Sequence, residues 1–219
     1  MTAGIQAVTF DAGGTLIEPW PSVGHIYAEI AARHGVERIQ PDLLNNRFVA
    51  AWHGRKDFDY TRDEWAAVVD ETFAGLCAEL PSRTFFPELY EYFAQPAAWR
   101  IFEDVRPSLA ALAARGMRLG VISNWDERLR PLLGRLGLAD LFEVVTVSCE
   151  AGFAKPDKKN FEAAAGEFKL PSNQILHVGD SFREDVEGAT QAGFKATLLL
   201  RHTASTTCEY IRSLAEIDL

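Results

Sequence analysis

A run of β-favouring residues, Ile5 to Phe10, drives straight into Asp11, and two glycines and a threonine follow at once: Asp11-Ala12-Gly13-Gly14-Thr15-Leu16. A buried parallel strand delivers its last residue to the C-terminal edge of its sheet, where open α/β sheets bind ligands. Gly13 and Gly14 let the backbone turn and come close to a bound group, and the Thr15 hydroxyl can hydrogen-bond near the strand tip. A carboxylate held there can act as nucleophile, base or metal ligand. Taken alone, the segment also reads as a strand that ends in an Asp-containing turn.

The rest of the chain narrows the choice. After Pro19 and Pro21 the spacing turns helical. It predicts helices over Val23–Ala31 with Gly35 as stop, Pro41–Trp52, Arg62–Leu80 and Pro87–Ala94, with no strand among them. Thr61 and Glu64 form a capping-box pattern ahead of the third. From Phe102 the rhythm is β/α. Strands are expected at Met117–Ser123, Phe142–Val147, Gln174–Val178 and Lys195–Leu200. Helices are expected at Val105–Arg115, Glu127–Leu136, Asp157–Phe168 and Phe182–Ala192, and a last helix in Thr206–Leu219. This alternation implies an α/β fold with a Rossmann-like parallel sheet covered by helices on both faces. Residues 1–18 and 100–219 form the α/β domain, and 19–99 an inserted all-helical domain.

The strand ends gather polar residues on one edge. The first ends at Asp11, the second at Ser123-Asn124 and the fourth at Gly179-Asp180, with Asp185 five positions on. Lys155-Pro156-Asp157 lies between the third and fourth. Three carboxylates, a hydroxyl and a lysine suit phosphoryl transfer. Asp11 would attack phosphorus. Ser123 and the amides after it would hold phosphate oxygens, and Lys155 would neutralise charge. Asp180 and Asp185 would hold Mg²⁺, a hard ion that favours carboxylates. Each piece also has an ordinary reading as a cap or turn.

Bulk properties agree. The 219 residues are 47% hydrophobic, enough for a real core, and the net charge of −9 argues against nucleic acid as a partner. A small anionic substrate is compatible with it. No apolar run is long enough for a membrane span, the N-terminus lacks signal-peptide regions, and Cys77, Cys149 and Cys208 suit reduced thiols in the cytoplasm. Monomer and homodimer are both open.

The four stretches Phe10–Leu16, Val121–Asn124, Ala154–Asp157 and Val178–Asp185 together resemble the haloacid dehalogenase (HAD) superfamily, in its order and across nearly the whole chain. The resemblance implies a Rossmann-like core, a helical cap after the first motif that gates solvent and selects substrate, and an aspartate nucleophile. It places Asp11, Ser123 and Lys155 in catalysis, Thr15 and Asn124 at substrate, and Asp11, the Gly13 carbonyl, Asp180 and Asp185 around Mg²⁺. One departure stands out. Phosphatases of the family resemble Asp-x-Asp in the first motif, where the second Asp protonates the leaving group and later activates water. Here that position is Gly13, and such acid–base help is typically worth about 10²–10⁴-fold. Three readings follow: a Mg²⁺-dependent phosphatase that is slow or prefers good leaving groups, a metal-independent 2-haloacid dehalogenase with Arg47 as carboxylate binder, and a non-catalytic binding descendant. Phosphonatase-like relatives use a cap lysine, and Lys56 is the sole lysine before Lys155.

Overall fold

The computed structural model describes residues 4–55, 58–203 and 209–219. Five strands, β1 (Ala7–Phe10), β4 (Arg118–Ser123), β5 (Val144–Val147), β6 (Ile175–Gly179) and β7 (Lys195–Leu198), form a wholly parallel sheet in the order β5-β4-β1-β6-β7. β1, β4 and β6 are buried along almost their whole length, so they read as unbroken apolar runs rather than alternating ones. The chain leaves β1 for the neighbouring β4 and β5, then returns to the other side of β1 for β6 and β7. The order therefore reverses around β1, and the crevice at such a point lies at the strands' C-terminal ends.

Helices cover the sheet. α5 (Val105–Ala114) and α6 (Leu129–Arg135) follow β3 (Trp99–Ile101) and β4, α7 (Ser148–Ala151) and α8 (Lys158–Phe168) follow β5, and α9 (Gly188–Gln191) follows β6. One face packs Phe161, Ala164 and Phe168 of α8 and Ala189 of α9 against Ala7, Ile122, Val144 and Ile175 of the strands. Asp157 caps α8 by accepting from the Lys159 amide, as its position before the helix predicts.

Two compact units result, residues 18–100 and residues 1–17 with 101–219. The first holds α1 (Val23–Arg33), α2 (Pro41–His53), α3 (Arg62–Thr72) and α4 (Phe86–Tyr92). Its core is aromatic: Tyr27 stacks on Phe73, which meets Phe85 edge-on. Rings of this size bury about 150–250 Å² each. Trp65 lies against that core and meets Phe58 edge-on. Short strands β2 (Ile17–Pro19) and β3 (Trp99–Ile101) pair where the chain leaves and rejoins the sheet unit. Three-residue strands carry too little pattern to predict.

Several expected boundaries move. α3 stops at Thr72, not Leu80, as Thr72 Oγ1 bonds back to the Val68 carbonyl and left-handed Gly75 turns the chain. Thr61 does cap it, accepting from Glu64 N–H. The expected helix over Phe182–Ala192 is a π-turn, Phe182–Glu187, running into short α9. No long helix ends the chain among the described residues; Leu214–Glu216 is one 3-10 turn, and Leu199 bridges to Ile211. Residues 204–208, including Cys208, lie outside the described residues.

Asp104 ties this last segment down. Its carboxylate accepts both bonds of Arg201 Nη1 at 2.9 and 3.0 Å, the Ser213 hydroxyl at 2.8 Å and the Leu214 amide at 2.7 Å. Burial alone would raise this carboxyl, but the bonds from Arg201, Leu214 and Ser213 outweigh it and hold the group below its ordinary value. A depressed carboxyl contributes stability that is complete above its unfolded value, near 4, and is lost as pH falls through the folded one. Asp104→Ala is therefore expected to lower stability by about 1–3 kcal/mol at pH 7, and the gap from wild type should close below about pH 4. Urea unfolding of both proteins at pH 7 and pH 3 checks this; a gap unchanged by acid contradicts it.

Candidate active site

Pairing of β1 with β6 carries past the strand end, since the Asp11 amide donates to the Val178 carbonyl at 2.9 Å. This aims the Asp11 side chain out of the sheet at its C-terminal edge. Its Oδ1 accepts from Ser123 Oγ at 2.9 Å, off the tip of β4, and from Lys155 Nζ at 2.6 Å. The same ammonium donates to Asp185 Oδ1 at 2.5 Å. Lys155, Ser123 and Asp185 are buried, and Asp11 is only 7% exposed.

Behind Asp185 a further chain of bonds runs into the sheet. His177 Nε2 lies 3.1 Å from Asp185 Oδ1, and Thr9 Oγ1 lies 2.9 Å from His177 Nδ1. Burial lowers His177 below its usual value, so the ring is neutral at pH 7. An ionised carboxylate only accepts, which assigns the ring proton to Nε2 and makes Nδ1 the acceptor from Thr9. Asp185 Oδ2 takes the Ser181 amide at 2.9 Å. The sequence points to His177 only as a packed strand residue with one hydrogen bond; its link to Lys155 through Asp185 depends on long-range pairing.

The charges are unevenly matched. Burial would lower Lys155, yet the flanking Asp11 and Asp185 raise it far above the ordinary lysine value, so it stays charged. Burial works against the ionised form of Asp185, but Lys155 and His177 hold it well below the usual carboxylate range. For Asp11, burial is the larger effect and lifts the carboxyl above its usual value although Lys155 opposes it. Asp180 is pushed up to about 8 by desolvation and then by the charges of Asp11 and Asp185. It stands exposed at the rim, so water tempers this effect. Three carboxylates thus share one cation.

Two glycines create the space for these carboxylates. A methyl group on Gly14, whose φ is +78°, would stand 2.2 Å from Asp180 Oδ2, and one on Gly179 would stand 2.1 Å from Asp185 Cγ. Asn124 fixes the lysine loop: its Oδ1 accepts the Lys155 amide at 2.6 Å, and its Nδ2 donates to the Lys155 carbonyl at 2.9 Å and to Glu184 at 3.2 Å.

Some expected roles change. Asn124 is committed to the Lys155 backbone and Glu184, so it builds the site and offers no spare amide to a substrate. Thr15 is fully buried and its hydroxyl meets no partner among the described residues. Asp185 accepts from Lys155 and lies beside His177 at Oδ1, and takes the Ser181 amide at Oδ2. Among the described residues no trio of His, Cys, Asp or Glu side chains is arranged to hold a metal. The Asp11 carboxylate, Asp180 and the Gly13 carbonyl offer oxygen donors at the crevice. These hard oxygens, crowded and under-neutralised, suit a divalent ion with water completing its shell. Arg47 Nη1 donates to the Ala74 carbonyl at 2.8 Å, tying it to the chain after α3. Lys56 lies outside the described residues.

Comparison with known proteins agrees with this geometry. The family model for haloacid dehalogenase-like hydrolases matches residues 5–193. The chain belongs to that family. It is 31% identical over 207 residues to the human haloacid dehalogenase-like hydrolase domain-containing protein 3, covering 90% of this chain and 82% of that protein. It is 31% identical to a phosphoglycolate phosphatase of Yersinia pseudotuberculosis over 192 residues, 86% of this chain and 78% of that one. Among solved structures, a HAD phosphatase from Thermococcus onnurineus superposes with a TM-score of 0.69 at 26% identity, covering 97% and 95% of the two chains. A putative HAD-hydrolase from Bacillus subtilis bound to magnesium shares the fold, with a TM-score of 0.76 at 19% identity over 98% and 97%. The chain is thus a HAD-like hydrolase. Among the described residues no helix is long and apolar enough to cross a membrane.

Gly14→Ala is expected to cost about 1–2 kcal/mol for its left-handed backbone alone, and more as Asp180 is driven off. Chemical denaturation measures it; a neutral substitution contradicts the close packing of Asp180 on Gly14.

Proposed function

We propose that this hydrolase is a Mg²⁺-dependent phosphatase that acts on a small anionic phosphorylated metabolite through an aspartyl-phosphate on Asp11. The single observation that carries the reading is the state of the Asp11 carboxylate. Oδ1 is held by Ser123 and Lys155, and Oδ2 is left to attack. Fixing one oxygen sets the direction of the other, which is how positioning lowers a barrier.

In this reading Asp11 Oδ2 meets phosphorus in line with the leaving oxygen. Lys155 stays in contact with the nucleophile and gives its third N–H to the non-bridging oxygens as charge builds on them, while Ser123 keeps its single O–H on Asp11 Oδ1. Such preorganised donors act without reorganising at the moment of reaction. Asp185 and His177 keep Lys155 aimed and take no part in bond making. Asp11, Asp180 and the Gly13 carbonyl would hold Mg²⁺, which supplies charge neutralisation between an anionic nucleophile and an anionic phosphate. The phosphatases among the relatives support the class of substrate.

A metal-independent dehalogenase is the second reading. Gly13 favours it, because an acid is not needed to expel halide. The engagement of Arg47 with the Ala74 carbonyl weighs against it.

A paired assay separates the two. Phosphate release from a panel of phosphate esters should require Mg²⁺, fall to background in Asp11→Asn, and drop about 10²-fold or more in kcat for Ser123→Ala. Halide release from 2-chloropropionate in the presence of EDTA would overturn the phosphatase reading in favour of the second.

A further inference from the structure

Gly13 sits where the general acid of the family's phosphatases would stand, and its surroundings explain more than a missing side chain. Its backbone is not in the left-handed region, so the main chain itself would accept any L-residue. The obstacle is one ring. A methyl group on Gly13 would stand 3.3 Å from Cζ3 and 3.9 Å from Cη2 of Trp125, with no other atom of the described residues within 4 Å beyond its chain neighbours. A contact of 3.3 Å is tight for a Cβ, so the indole must yield by a few tenths of an ångström to admit a side chain at Gly13.

The indole is not free to drift with its backbone. The Trp125 amide donates to Ser148 Oγ at 3.0 Å, and its carbonyl accepts from Ser148 Oγ at 3.0 Å and from the Cys149 amide at 3.3 Å. On one side Asn124 is bonded to the Lys155 backbone. On the other, Asp126, 1% exposed, accepts from the Arg128 amide and guanidinium. These bonds fix the Trp125 backbone beside Gly13.

We infer that Trp125 is a specificity-determining residue, which fills the place of the absent acid and restricts the enzyme to phosphoryl compounds whose leaving oxygen needs no proton: aryl and acyl phosphates. This rests on the phosphatase reading. Asp11 Oδ2 forms a bond to phosphorus while the bond from phosphorus to the leaving oxygen breaks. The electron pair stays on that oxygen, which departs as a phenolate or carboxylate and takes any proton from solvent. Water then adds to phosphorus, the bond to Asp11 breaks, the carboxylate is regenerated, and the protons of water pass to phosphate and solvent. An alkoxide cannot leave in this way at useful rate, since acid help is worth about 10²–10⁴-fold. The aromatic face of Trp125 also offers an aryl leaving group a stacking surface.

The test is a series of aryl phosphates of rising phenol pKa, with an alkyl phosphate at the end, in wild type, Gly13→Asp, Trp125→Leu and the double variant with Mg²⁺ present. Wild-type kcat/KM should fall about 10²-fold or more from p-nitrophenyl to phenyl phosphate, with the alkyl ester inert. Gly13→Asp alone should leave that steepness unchanged or lose activity, and the double variant should flatten it. A flat wild-type series overturns the inference, as does Gly13→Asp alone matching the double variant. Absence of Asp11-dependent turnover on every ester would sink the phosphatase reading, and with it the substrate assignment. The steric pair is read separately by thermal unfolding. Gly13→Ala should lower Tm in the presence of Trp125 and leave it unchanged or raised beside Trp125→Leu; equal shifts in both backgrounds overturn the pair.

Discussion

One buried ammonium holds this site together. Lys155 lies between Asp11 and Asp185 with nearly no solvent contact, and almost everything nearby serves to keep it there. Placing three ions in such a spot is costly unless geometry and hydrogen bonding are nearly complete. Here Ser123, His177 and the Ser181 amide complete the triad. Asn124 clamps the backbone of the lysine, and His177 is locked in turn by Thr9 from the neighbouring strand. The network is anchored in β1, β4 and β6, and Asn124 clamps the Lys155 loop to them.

That arrangement leaves an imbalance, and the imbalance is the feature with chemical meaning. Lys155 satisfies Asp185 and one oxygen of Asp11. It does not reach the full negative charge of Asp11 and Asp180 together. A protein selected for stability alone has no reason to crowd two carboxylates so, and Gly14 and Gly179 surrender side chains to allow it. A cation or an electron-poor phosphorus relieves what the protein leaves unrelieved. On the proposed reading, the site is complementary to the charge distribution that substrate and metal would bring.

Much of this was legible in the chain. Asp11, Ser123, Lys155 and Asp180 stand at strand ends or on the loop between them, and strand periodicity with a parallel sheet is enough to bring strand ends to one edge. Other roles could not be read. Thr15 and Asn124 look like ligand contacts because they flank the motif, yet which way a side chain turns depends on neighbours more than 30 residues away, such as the Lys155 carbonyl for Asn124. The bond of Asp185 to Lys155 depends on the π-turn at Phe182–Glu187, which no helical pattern signals. The three-residue strands β2 and β3, the early end of α3 and the contact of Trp125 with Gly13 all arise from tertiary contacts that no local pattern encodes.

The central claim is that Asp11 becomes covalently bonded to phosphorus during turnover. The direct measurement is rapid acid quench of the enzyme with Mg²⁺ and p-nitrophenyl phosphate, followed by peptide mass analysis. The account predicts a phosphoryl adduct on the peptide that carries Asp11, formed and lost in step with product release and absent in Asp11→Asn. Turnover at full rate with that peptide never modified would contradict it.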